Sequence, residues 1–248
     1  MPGRRGIDWL DAGVAGIRQN AAMEERLTLI VPVLNEAAGI GGALRDLETL
    51  RRAGAEVIVV DGGSTDATLK RCAGLADQVL LGPRGRARQM NHGAARSNGT
   101  ILVFLHADTR LPVDAVRLIR DALATGARDW GRFDVAIEGR SKWLPVIAAL
   151  MNRRSRWSGI ATGDQAIFAR RSLFNDVGQF PDQPLMEDIE LSRRLRRCGR
   201  PACLAAKVVT SGRRWERDGV WRTIVLMWRL RLFYWLGVSP QRLVKSYQ

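Results

Sequence analysis

Four short apolar runs, each followed by a helical pattern, dominate the first half of the sequence. The runs cover residues 27–34, 55–60, 78–81 and 101–105 and are rich in β-branched residues. Helical patterns follow at residues 37–52, 65–73 and 86–97, and a fourth helix is expected to carry Pro112 in its first turn. This alternation predicts an α/β fold with a mostly parallel sheet and helices on both faces.

Polar residues stand where three of these predicted strands end. Asn35, Asp61 and Asp108 follow the first, second and fourth apolar runs. In open parallel sheets, ligands bind outside the carboxyl ends of the strands. A single aspartate there is an ordinary cap, but three polar strand ends at one rim favour a binding site.

Length and cysteine content limit the class of protein. A chain of 248 residues, 46% of them hydrophobic, is long enough for one large domain with a full core. Cys72, Cys198 and Cys203 lack metal-ligand spacing, so we expect reduced, packed thiols in a cytoplasmic protein. Residues 1–22 show no signal-peptide pattern and are expected to be a disordered leader without function, with Met23 as an alternative start.

The second half of the sequence has a different pattern of hydrophobic residues and carries most of the positive charge. Residues 130–138 alternate loosely, which predicts a half-exposed strand within a mixed region of strands and helices. The net charge is +14, and from Arg193 onward fourteen Lys or Arg residues face only Glu216 and Asp218. Such a field suits nucleic acid, anionic lipid or a phosphorylated substrate, although solvated helix surfaces explain most of these residues better.

The Trp-rich stretch at residues 220–236 is expected to be helical. It is too short, and too rich in arginine, to span a bilayer. Arg222 and Arg229 share one helical face, while Arg231 points nearly opposite. The stretch either packs on the domain, which we favour, or lies at the inner face of a membrane with Trp and Arg as anchors.

Six motifs, in this order, resemble glycosyltransferase family 2. Four resemble its nucleotide-sugar half: V-P-V-L-N-E (31–36), V-V-D-G-G-S-T-D (59–66), N-H-G-A-A-R-S-N-G (91–99) and F-L-H-A-D (104–108). Two resemble its acceptor half: G-D-Q-A-I-F-A-R-R (163–171) and M-E-D-I-E-L (186–191). The resemblance covers residues 27–199 and implies the GT-A fold, with a nucleotide-sugar half (23–128), a smaller mixed acceptor half (129–212) and a basic helical segment (213–248).

The resemblance implies a donor site with a divalent cation. The residues it assigns to the nucleotide sugar are Pro32, Asn35, Glu36, Asp61, Gly63, Arg86, Arg88, Asn91, His106 and Ala107. Asp108 is the implied ligand of Mn²⁺ or Mg²⁺ bridging the diphosphate. The family's D-x-D pair reads His106-Ala107-Asp108 here, so His106 either contacts the donor, gives the metal a nitrogen ligand that suits Mn²⁺, or is structural.

The resemblance also implies the acceptor side of the reaction. Gly163, Asp164, Gln165 and Glu187 are expected near the sugar or acceptor, and Arg213 or Arg214 near the diphosphate. Asp188 is the implied general base of an inverting displacement. By position alone Asp188 is a helix cap, as is Ser64 or Thr65, and Asp66 is open to either role. The Q-x-x-R-W signature of processive synthases is missing, which predicts non-processive transfer.

The resemblance predicts the substrates more specifically than the residues alone do. The whole-chain pattern resembles a bacterial subgroup of arsenosugar-biosynthesis or radical-SAM-associated transferases. The donor is expected to be a UDP-sugar, with GDP as the alternative, and the acceptor an unidentified hydroxyl compound. A nucleotidyltransferase is disfavoured because no Gly- and Lys-rich loop follows the first strand. A basic protein binding nucleic acid or lipid is disfavoured because strand-end carboxylates would repel phosphate.

Overall fold

The structure, a computed structural model, describes residues 25–244, so the predicted leader at 1–22 lies outside the described residues. In this part of the chain one sheet runs in the order β3-β2-β1-β4-β7-β6-β8-β5. Its strands are β1 Leu27–Val33, β2 Glu56–Asp61, β3 Gln78–Leu81, β4 Ile101–Phe104, β5 Thr109–Arg110, β6 Trp130–Glu138, β7 Phe168–Arg170 and β8 Ala202–Ser211. The sheet therefore joins the two predicted halves.

Helices cover both faces of this sheet. They are α1 Ile40–Asp46, α2 Glu48–Arg52, α3 Thr68–Cys72, α4 Arg86–Arg96, α5 Ala115–Ala124, α6 Leu144–Ser158, α7 Arg171–Asp176, α8 Glu187–Cys198, α9 Arg213–Asp218, α10 Val220–Trp235 and α11 Pro240–Val244. The single helix predicted at 37–52 is instead two, because the chain turns at Leu47. Pro112 lies before α5, where its carbonyl accepts the Ala115 N–H in the entering turn, so its predicted place inside the helix is wrong.

The parallel side of the sheet carries the predicted architecture. Strands β3, β2, β1 and β4 run parallel, and β1 lies between β2 and β4. Residues 101–104 of β4 are buried throughout, which explains their uninterrupted apolar sequence. Connections leave β1 in opposite directions, and the crevice at such a switch point is where these sheets bind ligands. The predicted α/β fold is confirmed.

The mixed side holds one correction. Strand β7 is antiparallel to β4 and β6, and β6 is parallel to β8. The prediction that 130–138 is half-exposed is wrong, since residues 130–135 are buried in the middle of the sheet. Arg132 and Asp134 form a buried ion pair there. These charged residues suggested an exposed face in the sequence. They are buried because a charge that is paired can occupy an interior position.

The C-terminal helices α10 and α11 pack beside the start of α8. Leu230 of α10 and Leu243 of α11 pack with Leu185 and Met186, immediately before α8. The favoured packing of 220–236 on the domain is thus observed along one face of α10. Among the described helices, none combines the length and apolar character needed to cross a membrane.

Candidate active site

A cavity of about 870 Å³ opens at the carboxyl ends of β1 and β4. The wall is built from both predicted halves and from α8, α9 and α10. The predicted site residues that line it are Pro32, Glu36, Arg86, His106, Ala107, Asp108, Gly163, Asp164, Glu187, Asp188 and Arg214. The fold therefore brings the donor-side and acceptor-side residues into one space.

Two strand-end carboxylates meet at the donor end of this cavity. Asp108 follows β4, has 36% of its side chain exposed, and lies 4.0 Å (Oδ2) from Nη2 of Arg213. Burial raises the pKa of Glu36, which follows β1; the charge of Arg213 opposes the rise, and Asp108 and Asp66 add to it. A carboxylate whose pKa is raised by neighbouring carboxylates favours the binding of a cation beside it.

The donor set fits a cation that is shared with a ligand. Mg²⁺ and Mn²⁺ are commonly held by one or two carboxylates, with phosphate and water oxygens completing the shell. Within residues 25–244 no cluster of three or more His, Cys, Asp or Glu side chains forms a metal site. Asp108, with Glu36 nearby, suits a cation that arrives with a diphosphate and does not suit one enclosed by protein alone.

His106 is held against the acceptor half. Its Nδ1 lies 3.3 Å from Oδ1 of Asp164. Its Nε2 edge abuts Gly163, where an added Cβ would overlap the ring. Both ring nitrogens therefore face protein groups, an arrangement that supports a positioning role more than metal ligation. Removal from bulk water acts to raise the pKa of Asp164, but the hydrogen bond and charge of His106 outweigh it and leave the pKa lowered.

Asp188 is fixed within the first turn of α8. Its Oδ2 accepts the backbone N–H of Gly163 at 2.7 Å, and its Oδ1 accepts that of Ile189 at 2.7 Å. The N-cap of the helix is Met186, with φ 65°, so the prediction that Asp188 caps the helix is wrong. Each carboxylate oxygen keeps a second lone pair for a ligand hydroxyl.

Glu187 is the buried member of the acidic pair. Only 4% of its side chain is exposed, and its Oε1 lies 3.3 Å from Nη1 of Arg86. Burial, followed by the charge of Asp188, raises the pKa of Glu187, and Arg86 limits the rise. The contact joins the start of α4 to the start of α8, which places Arg86 of the donor half beside the acceptor residues.

The prediction missed two arginines beside Asp188. Arg231 of α10 lines the cavity and forms no hydrogen bond or ion pair with another described residue. Nε and Nη2 of Arg154 are buried and lack hydrogen-bond partners within residues 25–244. Burial, reinforced by the charge of Arg231, lowers the pKa of Arg154 to about 10. Both arginines interact electrostatically with Asp188, and Arg231 also with Asp164. The helical spacing that set Arg231 apart from Arg222 and Arg229 was the available signal.

The loop after β2 is built by predicted site residues that do not line the cavity. Asp61 is fully buried; its carboxylate accepts the Ser64 hydroxyl and the N–H groups of Gly63 (3.1 Å) and Ser64 (2.9 Å). Oδ1 of Asn35, a residue at φ 54°, accepts the Thr65 N–H at 2.9 Å. These contacts shape the rim, and the predicted contact of Asp61, Gly63 and Asn35 with a nucleotide stays a prediction.

The start of α3 also differs from its prediction. Its N-cap is Ala67, so the caps predicted at Ser64 or Thr65 are wrong. Oδ1 of Asp66 accepts the Thr68 N–H at 2.9 Å, and Oδ2 accepts the Ala37 N–H at 3.1 Å. Asp66 therefore ties the end of β1 to the helix after β2.

Three other predicted residues do not line the cavity. Arg88 forms a two-bond ion pair with Asp182, at 2.7 Å for each contact. Asn91 exchanges hydrogen bonds with the backbone of Phe180. Oε1 of the buried Gln165 accepts the Thr162 N–H at 3.2 Å. Their part in binding stays a prediction.

Gln89 lines the cavity and was not predicted. Its Nε2 donates to the carbonyls of Val33 and Val60, at 2.8 Å each. Both carbonyls lie near the ends of their strands, β1 and β2. One side chain therefore fixes the spacing of two strand ends. A Cβ on Gly62 would lie 3.0 Å from the Gln89 amide carbon, which explains a small residue there.

Fold and site together define an α/β protein with a polar cleft for a ligand at the switch point of its sheet. The chain belongs to glycosyl transferase family 2, whose model matches residues 28–178. It is 29% identical over 170 residues to a PGL/p-HBAD biosynthesis glycosyltransferase of Mycobacterium bovis, a match that covers 62% of each protein. The chain thus spans about three fifths of that relative.

Solved structures share the fold at low sequence identity. A mannosyltransferase from Pyrobaculum calidifontis in complex with GDP-Man and Mn²⁺ matches with a TM-score of 0.58 and 22% identity, over 74% of this chain and 56% of that one. Glucosyl-3-phosphoglycerate synthase from Mycobacterium tuberculosis, in complex with Mg²⁺ and UDP, matches with a TM-score of 0.56 and 21% identity, over 85% and 75%. The predicted family and GT-A fold are confirmed.

Proposed function

We propose that the protein transfers a sugar from a nucleoside-diphosphate sugar to a hydroxyl acceptor, with inversion at the anomeric carbon. The observation that carries this proposal is that Asp108 and Asp188, from different halves of the chain, line one cavity. Family membership supports it and removes support from a nucleotidyltransferase. The UDP and GDP-Man complexes of the two structural relatives support a nucleotide-sugar donor, with UDP kept as our first choice and GDP as the alternative.

The donor's diphosphate is proposed to lie at the Asp108 end of the cavity. Asp108, with Glu36, would hold a divalent cation, Mn²⁺ or Mg²⁺, which supplies charge neutralisation to the leaving phosphates. Arg213, 4.0 Å from Asp108, and Arg214 on the cavity wall are suitably placed to contact the same phosphates. The sugar then points toward Gly163 and Asp188.

Asp188 is proposed to act as the general base. The acceptor hydroxyl gives its proton to the Asp188 carboxylate as its oxygen forms a bond to the anomeric carbon. The bond from that carbon to the diphosphate oxygen breaks, and its electron pair leaves with the phosphate. Attack from the face opposite the leaving group inverts the configuration. The two backbone N–H bonds to Asp188 hold its oxygens in place for this transfer.

The proposal is tested with a panel of nucleotide sugars, scored by binding and by slow donor hydrolysis with Mn²⁺, Mg²⁺ or a chelator. We expect one nucleoside-diphosphate sugar to bind in a cation-dependent manner. The acceptor then follows from a screen of hydroxyl compounds, for which the arsenosugar-biosynthesis resemblance stays a prediction. A folded protein that binds no donor with any cation would contradict the proposal.

The base is tested with Asp188→Asn. We expect donor binding to persist and transfer to fall by about 10²–10⁴-fold, the usual contribution of general-base catalysis. The matched control is Asp176→Asn, the same change at an exposed position outside the cavity, which should leave transfer unchanged. Normal turnover by Asp188→Asn would show that the base is another group.

A further inference from the structure

An apolar stripe covers the outer face of α10. Its members recur at helical spacing and are more than half exposed: Trp221 (62%), Val225 (56%), Trp228 (71%), Leu232 (53%) and Trp235 (81%). The inner face is already satisfied, since Leu230 is buried against the start of α8. Packing on the domain therefore explains one face of this helix and leaves the other, more aromatic face uncovered.

A second stripe, on α6 and its N-cap Trp143, continues this surface. Its exposed members are Trp143 (41%), Val146 (48%), Leu150 (61%) and Trp157 (84%). The rings of Trp143 and Trp221 are in edge contact at 5.2 Å between centroids. We call the two stripes together the tryptophan face. Contiguous exposed apolar surface of this kind is rare on soluble proteins without a partner.

The charges around the tryptophan face select the kind of partner. Neither α6 nor α10 contains an acidic residue, and both carry arginines. Arg222 and Arg229 are exposed along one flank of the α10 stripe, and Arg153 is exposed on α6. If a second copy of the chain covered this face, the arginines of the two copies would come close together and repel each other. An anionic surface would neutralise them while the apolar side chains leave water.

We propose that the tryptophan face docks the protein on a membrane surface that contains anionic phospholipids. Tryptophan and leucine side chains would enter the boundary between headgroups and acyl chains, and Arg222 and Arg229 would contact phosphate groups. The opposite flank of α10 lines the cavity through Thr223, Met227 and Arg231. Docking would thus hold the cavity at the level of the headgroups. The inference does not rest on the proposed transfer reaction.

The test uses the full chain and vesicle sedimentation. One vesicle type contains phosphatidylglycerol and phosphatidylcholine, and the other phosphatidylcholine alone. We expect binding to the anionic vesicles, weakened by added salt, and little binding to the neutral ones. Trp228→Ala with Trp235→Ala, and separately Arg222→Glu with Arg229→Glu, should each reduce binding by about tenfold or more.

The matched control is Leu81→Ala with Val113→Ala, which removes two apolar side chains of similar exposure (70% and 78%) far from α6 and α10 in sequence. This control should bind vesicles like the wild type, and all variants should keep an unchanged unfolding midpoint. Equal vesicle binding by wild type and the tryptophan variant would overturn the proposal. So would a dimer of the wild-type protein that the tryptophan variant converts to monomer, because a second copy would then cover the face.

Discussion

At the scale of single residues, the candidate site depends on a close approach between two halves of the chain. Gly163 contacts the imidazole of His106 and donates its N–H to Asp188. One residue without a side chain therefore sets the distance between the end of β4 and the proposed base. The motifs indicated His106 and Asp188 as candidates, but the contact that relates them is visible only in the fold.

Gly163→Ala tests this approach. The added methyl overlaps the imidazole of His106, so we expect a loss of about 1–3 kcal/mol in the free energy of unfolding, the usual cost of overpacking. Transfer should fall as well, because the N–H bond to Asp188 shifts. Urea unfolding measures the first effect.

The double variant Gly163→Ala with His106→Ala supplies the control. Without the ring the methyl has room, so the double variant should lose less stability than the sum of the two single changes. Additive losses would show that the imidazole is not what the methyl meets.

At the scale of elements, a few side chains fasten helices to strand ends. Gln89 of α4 donates to the carbonyls of Val33 and Val60, near the ends of β1 and β2. Asp77, just before β3, accepts hydrogen bonds from Arg51 of α2 and from the N–H of Val57 in β2. Such contacts join segments far apart in sequence. The Gln89 contact holds the rim of the cavity, whereas the Asp77 contacts fix α2 at the opposite edge of the sheet, where β2 begins.

Asp77→Asn tests the contacts of the Asp77 carboxylate. The hydrogen bond from Arg51 is the largest cause of the lowered pKa of Asp77, assisted by the Val57 N–H. A lowered pKa stabilises the fold above the ordinary aspartate range, and this stability is lost as pH falls through the folded-state pKa. We expect a loss of about 1 kcal/mol at neutral pH that shrinks below about pH 4.

Chemical unfolding across pH measures this difference, with Asp121→Asn as control. Asp121 is 64% exposed and, within residues 25–244, forms an ion pair only with Arg117 on its own helix. A stability difference for Asp77→Asn that stayed constant down to low pH would rule out the charged contact as its source.

At the scale of the whole molecule, one sheet joins the two predicted halves, and the cavity is lined by residues of both. A ligand that binds there contacts elements spread over most of the chain. Binding to the folded state alone raises the free energy of unfolding by RT ln(1 + [L]/Kd), so the unfolding temperature rises with ligand concentration.

Thermal unfolding with the preferred nucleoside diphosphate and Mn²⁺ tests this coupling. At about 100 times the dissociation constant we expect a rise of about 5 °C or more. A chelator or Asp108→Ala should remove most of the shift. A shift of the same size with the chelator present would contradict the assignment of Asp108 to a cation.

The sequence alone determined the strand–helix alternation, the family and eleven of the residues that line the cavity, because these depend on local periodicity and on motifs at strand ends. Tertiary structure decided the rest. Arg132 and Asp134 look exposed in sequence but pair inside the sheet, Asp61 turns its carboxylate into its own loop, and Arg231 faces Asp188 from a distant helix. Burial and charge pairing between distant segments set these roles, and no local pattern records which segments meet.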